Sequence, residues 1–262
     1  MKTRKEKTNF DLISVYNSVH SNEQQFFTVP PILESIEIFR EVPNWEGLTV
    51  LEIGCGVGDL AGMIASSGAK KVIACDYSES SIAKAREAYP NLLNLKFICD
   101  DVHNLKFEEE FDIVVMQGVL EHFDEPFSSL YKIINNFLSE DGLLINSCPA
   151  FYNPRGYVWM TLALLLDVPM SLTDLHFLDI EDFRKFCNKN KLSLEWRSIH
   201  HDWASGDGLI SDYKKRLVNA LRDAELPNKN VDKLLKWLKE SNSYFAKTEN
   251  SGAEIIYKIR RH

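Results

Sequence analysis

The sequence has no pair of cysteines at the CxxC spacing that zinc and redox sites use. Its five cysteines are scattered along the chain, and an odd, scattered set suits reduced thiols better than disulfides. We therefore expect small buried side chains at these positions, with no disulfide framework and no metal site. The five are Cys55, Cys75, Cys99, Cys148 and Cys187.

Long apolar runs are also missing. The longest, Val158 to Leu166, falls far short of the roughly 20 residues that span a bilayer. No apolar segment follows the basic residues at the start of the sequence, as a secretory signal requires. These two features predict a cytoplasmic protein with no membrane partner.

Basic residues are fewer than acidic residues. The 262 residues include 30 Lys and Arg against 38 Asp and Glu, which gives a formal net charge of −8. Such a chain is a poor match for the phosphate backbone, so we expect no nucleic-acid partner. With 45% hydrophobic residues, the chain is able to bury one large core. The composition leaves the oligomeric state open.

Short β-rich runs alternate with helical segments between Leu48 and Pro149. Runs of this kind, spaced by helices, are typical of strands buried on both faces of a sheet. The pattern predicts an α/β fold with a doubly wound, mostly parallel, Rossmann-like sheet. The predicted strands are Thr49–Ile53, Lys71–Cys75, Leu95–Cys99, Asp112–Met116 and Leu143–Ser147, with a turn at Asp141-Gly142 before the last. The predicted helices are Leu60–Ser67, Ser78–Tyr89 and Pro126–Leu138.

The flanking segments read differently from this core. We expect an N-terminal helical cap or lid at residues 1–47, a ligand-binding core at 48–149, and a third region at 150–262. That third region combines a substrate lid, the remaining strands of the sheet and a helical insertion. Its predicted elements are an aromatic stretch (Phe151–Leu172), a helix (Asp179–Asn188), a strand near Leu192–Ile199, helices near Ile210–Ala224 and Val231–Ala246, and an antiparallel edge strand (Glu254–Ile259). In the cap, Pro30-Pro31 precedes a helix over Ile32–Phe39.

A glycine-rich loop, Glu52-Ile53-Gly54-Cys55-Gly56-Val57-Gly58, begins at the end of the first predicted strand. Glycines let a backbone turn sharply and approach a ligand closely. The spacing is GxGxG, so Asp59 stands where the dinucleotide fingerprint GxGxxG has its third glycine. The carboxylate of Glu52 repels a pyrophosphate and attracts a ligand that carries an ammonium and a sulfonium.

Asp76 ends the second predicted strand, 22 residues beyond Gly54. An acidic residue at that offset accepts hydrogen bonds from both ribose hydroxyls of a nucleoside, and Tyr77 adds an aromatic face beside the sugar and base. The other interpretation of Asp76 is a cap for the helix that starts near Ser78, and the two roles are compatible.

Two further strand ends offer polar groups for the same ligand. After the third strand, Asp101 can accept the exocyclic amine of adenine while the Val102 N–H donates to the ring, with Asp100 as the competing carboxylate. After the fourth, Gln117-Gly118 can line the ligand from the other side.

These stretches together resemble the core of class I S-adenosylmethionine-dependent methyltransferases, small-molecule subgroup. The matching segments are LEIGCGVG (51–58), ACDYS (74–78), FICDDVHNL (97–105), FDIVVMQGVLEHF (111–123) and LSEDGLLINSCP (138–149). The resemblance implies that S-adenosyl-L-methionine is the cofactor. It implies that Gly54 and Gly56 approach the methionine end, Asp76 the ribose, and Asp101 with Val102 the adenine. It makes residues 48–149 the cofactor-binding core.

The acceptor side of the site is less defined. Leu120-Glu121-His122 and His176 resemble positions near cofactor or substrate in the small-molecule subgroup, and we take His122 and His176 as the catalytic candidates. His122 has a competing interpretation in which it only orients the loop after the fourth strand. Gln117-Gly118-Val119-Leu120 replaces the family's Asn/Asp-Pro-Pro-aromatic motif, which argues against a planar amide or base nitrogen as acceptor. His200 and His201 are weaker candidates.

Aromatic residues beyond the core suggest a lid for the acceptor, although they equally suit packing of an extra helix on the sheet. The aromatic residues are Phe151, Tyr152, Tyr157, Trp159, Trp203 and Tyr213, and Met160 follows Trp159 in the same stretch. The sequence therefore predicts methyl transfer to the O, N or C nucleophile of a small molecule. The alternatives are a non-catalytic cofactor-binding scaffold or sensor, a nucleotide-dependent oxidoreductase of the same fold class, and a macromolecular methyltransferase.

Overall fold

The computed structural model describes residues 32–168 and 174–261. The expectations for residues 1–31, including Pro30-Pro31, and for the end of the aromatic stretch at 169–172 lie outside the described residues. Secondary-structure elements are numbered below within the described part of the chain.

Seven strands form one sheet in the order β3-β2-β1-β4-β5-β7-β6. The first five run parallel, and β7 is antiparallel to both β5 and β6. This is the Rossmann-like, mostly parallel sheet that the alternating pattern predicted. The strands are β1 (Thr49–Ile53), β2 (Lys71–Asp76), β3 (Leu95–Cys99), β4 (Phe111–Gln117), β5 (Leu138–Pro149), β6 (Leu192–Ile199) and β7 (Glu254–Arg261).

Eight α-helices accompany the sheet in the described ranges. They are α1 (Ile32–Phe39), α2 (Asp59–Ser66), α3 (Glu79–Ala88), α4 (Pro126–Phe137), α5 (Pro154–Leu166), α6 (Ile180–Asn190), α7 (Asp207–Asp223) and α8 (Val231–Ser241). Each predicted helix that falls in these ranges is present, with ends shifted by a few residues. The largest shift is in α8, which stops at Ser241 where we predicted Ala246, because a 3₁₀ turn at Asn242–Tyr244 follows it.

Two local expectations were wrong. Glu254–Ile259 was predicted as an edge strand, but β7 lies inside the sheet between β5 and β6, and β6 is the edge strand on that side. The Asp141-Gly142 turn was placed before the fifth strand, whereas β5 begins earlier, at Leu138. Phe111 pairs with Leu138 and Ile113 with Leu143, so the extra residues between them form an irregularity inside the strand.

The apolar side chains form three main clusters. One fills the face of the sheet under α4 and α6, and a second fills the opposite face under α1, α2 and α3. A third packs α5, α7 and α8 against one another, through residues such as Trp159, Tyr213 and Leu235. The described residues thus divide into a two-faced α/β core and a helical group that follows β5 and β6.

No helix in residues 32–168 and 174–261 has the length and apolar character needed to cross a membrane. The same ranges hold no group of three or more His, Cys, Asp and Glu side chains placed to ligate a metal.

Candidate active site

The glycine loop connects β1 to α2 and is tied to the end of the neighbouring strand. The N–H groups of Gly54 and Cys55 both donate to the carbonyl oxygen of Cys75, at 2.7 and 3.0 Å. Gly54, Gly56 and Gly58 have φ values of 72°, 52° and 86°. Residues with a Cβ rarely adopt these conformations, so the glycines are needed for the path of the loop.

Two of these glycines face different surroundings. A Cβ on Gly54 would lie 2.4 Å from Cγ2 of Val119, so this glycine allows the loop after β4 to pack closely. A Cβ on Gly56 would meet no atom within 4 Å among the described residues. The backbone at Gly56 therefore borders open space in which a ligand can approach the chain.

Asp76 joins the glycine loop to the next helix. One carboxylate oxygen accepts the Gly56 N–H at 2.9 Å, and the other accepts the Ser78 N–H at 2.8 Å. The cap of α3 is Ser78 itself, whose side chain accepts from the Ser81 N–H. Tyr77 is half-buried beside Asp76, and burial raises the pKa of its phenol, which keeps the ring neutral. The carboxylate is thus fixed at the end of β2, next to the loop.

Glu52 is a buried carboxyl group at the end of β1. Only 2% of it is exposed, and burial raises its pKa to about 8, with Asp76 and Asp59 adding repulsion. Its Oε2 atom has no hydrogen-bond partner among residues 32–168 and 174–261. A buried acid without a compensating cation favours its neutral form, and a cationic ligand beside it would restore the charge. This acid and the open face of Gly56 fit the methionine end of S-adenosylmethionine.

The two aspartates after β3 are engaged in a local turn. Asp101 accepts the His103 N–H at 2.9 Å and lies 2.7 Å from its ring Nδ1, and this contact lowers the pKa of Asp101. Asp100 accepts the N–H of Asp101 and the side-chain amide of Asn104. Val102 is buried. The assignment of adenine to Asp101 and Val102 stays a prediction.

His103 is one residue that the sequence analysis missed. Its Nε2 lies 2.9 Å from the hydroxyl of Ser129 on α4, so the ring bridges the turn after β3 to a helix distant in sequence. Its position two residues after Asp101 was the available signal.

Gln117 connects the end of β4 to α1. Its side-chain oxygen accepts from the hydroxyl of Ser35 at 2.8 Å, and its amide nitrogen donates to Glu34 at 3.2 Å. We predicted that Gln117 lines the cofactor. The structure instead shows its amide holding α1 against the sheet, which leaves the cofactor role a prediction.

The two candidate histidines lie where the loop after β4, which carries His122, meets the segment before α6, which carries His176. Nδ1 of His122 lies 3.6 Å from Asp174, which is itself 3.8 Å from Arg216. The N–H groups of Leu175 and His176 both donate to the Glu121 carbonyl, at 3.0 and 3.2 Å. The ring Nε2 of His176 lies 3.1 Å from the Asp124 carbonyl. Both histidines therefore belong to one folded corner above β4.

Three glutamates near this corner were not among the predicted site residues: Glu121, which is buried, and Glu34 and Glu254, which are partly buried. Burial raises the pKa of Glu121 to about 7, and it raises that of Glu34 with help from Glu254 and Glu121. The Cys148 thiol donates to Glu121 at 3.4 Å. Glu121 stands inside a quoted motif, but Glu34 and Glu254 gave no signal because they are brought together only by the packing of α1 and the position of β7 in the sheet.

The predicted aromatic lid divides into buried and exposed members. Trp159 and Tyr213 are fully buried, with ring centroids 5.6 Å apart, and Phe151 is also buried. Tyr152 and Tyr157 are exposed at 38% and 54%. Packing buries the rings of the first group, and the exposed rings of the second group are accessible to a ligand.

Known proteins share this sequence pattern and this fold. The sequence pattern of a family described as a methyltransferase domain matches residues 50–142. Residues 50–142 therefore form a class I S-adenosylmethionine-dependent methyltransferase domain. The protein is a methyltransferase with S-adenosylmethionine as its cofactor. The family match sets aside the oxidoreductase alternative.

The similarity to individual relatives is distant. The methyltransferase is 29% identical over 170 residues to a ubiquinone biosynthesis O-methyltransferase of Neisseria meningitidis serogroup C, covering 62% of this chain and 67% of that one. It is 31% identical over 104 residues to a malonyl-[acyl-carrier protein] O-methyltransferase of Bacillus anthracis, covering 38% and 37%. The chain therefore spans little more than a third of that second relative.

A solved structure described as the DhpI-SAM-HEP complex superimposes with a TM-score of 0.63 and covers 98% of this chain and 100% of that one. At 14% identity this likeness shows the fold alone.

Proposed function

We propose that this methyltransferase transfers the methyl group to the O, N or C nucleophile of a small molecule. The observation that carries the proposal is the buried acid Glu52, with an unpaired oxygen, beside a glycine loop whose Gly56 N–H donates to Asp76. The names of the two relatives, both O-methyltransferases, favour oxygen as the nucleophile.

The cofactor side is built from residues at the ends of the first four strands. Glu52 receives the ammonium of the methionine moiety, and the open backbone at Gly56, with Gly54 behind it, borders that moiety. Asp76 accepts from the ribose hydroxyls, with Tyr77 beside the sugar. Asp101 and the Val102 N–H receive the adenine, and Gln117 closes the other side. Asp76 is already fixed by two backbone N–H groups, which reduces the entropy lost on binding.

The acceptor side follows from the corner above β4. When bound, S-adenosylmethionine supplies an electrophilic methyl group whose transfer needs alignment and a dry site more than acid–base help. His122 takes the proton of the attacking hydroxyl at a ring nitrogen, while Asp174 at 3.6 Å from Nδ1 orients the ring. His176 fixes the corner through its contact with the Asp124 carbonyl.

The regions outside the core are proposed to select a small acceptor. We assign the cap to residues 1–47, the lid and helical insertion to residues 150–262, and cofactor binding to the core at 48–149. The contacts of Gln117 with α1 support a cap joined to the site. The net charge of −8 supports the absence of a nucleic-acid partner, and the five free cysteines support a cytoplasmic location.

The test is turnover with methyl-labelled S-adenosylmethionine against a panel of small phenols, carboxylic acids and amines. We expect label in a small organic product that requires the enzyme. The control is His122→Gln, which should bind S-adenosylhomocysteine like the wild type but give less product. Cofactor binding without label transfer to any member of a broad panel would favour the non-catalytic scaffold.

A further inference from the structure

Arg155 lies at the start of α5 and is 1% exposed. Its Nε donates to Asp212 at 3.2 Å, and its guanidinium carbon lies 3.4 Å from the centroid of the Trp203 ring. Its Nη1 and Nη2 are buried without a hydrogen-bond partner anywhere in residues 32–168 and 174–261. These two nitrogens carry four of the five guanidinium N–H groups. Buried donors of a charged group are costly to leave unpaired.

The indole N–H groups of two nearby tryptophans are also unpaired in the described part of the chain. Nε1 of Trp159 and Nε1 of Trp203 are buried and lack an acceptor within the described ranges. By contrast, Trp45 and Trp196 each donate Nε1 to an oxygen at 3.0 Å. Buried indoles usually find such a partner. Trp159 lies four residues after Arg155 on the same helix face, and Trp203 stacks on the guanidinium. We call these three residues the donor cluster.

The nearby carboxylates are already shared. Asp212 serves Arg155 with one oxygen, and its other oxygen lies 3.4 Å from Arg216. Asp174 serves both Arg216 and His122. Burial lowers the pKa of Arg155, although the neighbouring Asp212 acts in the opposite direction. The cluster thus offers buried N–H groups of Arg155 and two tryptophans that have no acceptor among the described residues, and an anion would supply one.

The donor cluster lies on the acceptor half of the site. α5 follows β5, and Trp203 follows β6, which runs parallel to β5 because both are antiparallel to β7. Both connections therefore leave the sheet at the same end of the strands as the glycine loop and Asp76, but on the far side of β4. The ion pairs from Arg155 through Asp212, Arg216 and Asp174 lead back to His122.

We propose that Arg155, Trp159 and Trp203 bind an oxyanion of the methyl acceptor, a carboxylate or a phosphoryl group, so that the acceptor is a small organic acid. The inference rests on the proposed function and narrows its substrate class. The flat fork of an arginine matches two oxygens of such a group, and the indole N–H groups supply further donors. Burial of the donors makes these hydrogen bonds stronger than they are at a surface.

The test uses protein saturated with S-adenosylhomocysteine and two probes, benzoate and inorganic phosphate, followed by calorimetry and thermal unfolding. We expect one of the two probes to bind and to raise the unfolding temperature with concentration. The probe that binds distinguishes a carboxylate site from a phosphoryl site. Arg155→Met should weaken that binding about 10- to 100-fold, and Trp203→Phe, which removes one N–H, about 2- to 10-fold.

A matched control is Arg184→Met. Arg184 also lies over a tryptophan ring, Trp196 at 5.3 Å, but is 46% exposed and pairs with Glu181. Probe affinity should be unchanged in this variant. If Arg155→Met does not fold, Trp159→Phe and Trp203→Phe carry the test, since each removes an N–H and keeps most of the ring.

Two outcomes would overturn the inference while the proposed function stands. One is that neither probe binds the cofactor-loaded wild type. The other is that the variants bind the probe as the wild type does, which would mean that buried water satisfies these donors. Failure of the wild type to bind S-adenosylhomocysteine would instead overturn the proposed function itself.

Discussion

Cofactor binding should ionise Glu52 and release a proton. In the structure this carboxyl is 2% exposed and its pKa is about 8, raised first by burial. At pH 7 a group with that pKa is roughly nine-tenths protonated. An ammonium placed within hydrogen-bond distance lowers a carboxyl pKa by about 1–3 units. The ionised fraction then rises to between about a half and nearly one, which predicts the release of roughly 0.4–0.9 proton per cofactor at pH 7.

The assay is titration calorimetry at pH 7 in two buffers of different ionisation enthalpy. The dependence of the binding enthalpy on the buffer counts the protons exchanged. Glu52→Gln is the matched control, because the cofactor's own amine contributes equally in both proteins. Equal proton counts in the wild type and Glu52→Gln would refute the reasoning, since Glu52 would then keep one protonation state throughout.

Glu52 also makes the stability of the cofactor-free enzyme depend on pH. The folded pKa of Glu52, about 8, lies above its ordinary 4.5, so the folded state holds this proton more tightly. The Glu52 contribution is complete below pH 4.5 and is lost as pH rises through 8, by an amount on the order of 5 kcal/mol. Glu52→Gln should remove this part of the pH dependence, as denaturant unfolding at a series of pH values would show.

The remaining predictions concern the loop and the base. Gly54→Ala should unfold at a much lower denaturant concentration than the wild type, because the new Cβ would lie 2.4 Å from Val119. Gly56→Ala should lose only about 1–2 kcal/mol of stability, from the positive φ at that position, and its main effect should be a lower affinity for the cofactor. Equal stability losses in these two variants would contradict the assigned surroundings. His122→Gln should lower kcat about 10²- to 10⁴-fold at unchanged S-adenosylhomocysteine affinity, and a wild-type kcat would remove His122 as the base.

Local pattern was sufficient for most of the fold. The strands from Thr49 to Cys99 were predicted to within one residue because each appears as a short β-rich run that is mostly apolar. The place of Glu254–Ile259 was wrong because alternation along one strand does not say what pairs on its second edge. That edge is covered by β6, whose partly exposed residues gave no sign of which strand they join.

The site was predictable where it depends on neighbours in sequence. The glycine loop and Asp76 lie at strand ends, and the positive φ values require the glycines that the motif supplies. Arg155 gave no signal, because an arginine between aromatic residues reads as a solvated charge. Only the packing of α5 against α7 and the loop after β6 buries it and leaves its nitrogens unpaired.

The most direct test of the account is a titration of the purified protein with S-adenosylhomocysteine, in the wild type and in Asp76→Ala. We predict one binding site in the wild type and an affinity about 10- to 100-fold lower in Asp76→Ala. The exposed Asp141, in the irregular part of β5, provides the control Asp141→Ala, which should bind like the wild type. Absence of binding heat and of any thermal shift in the wild type, or equal affinities in the wild type and Asp76→Ala, would contradict the nucleoside site proposed at the ends of β1 and β2.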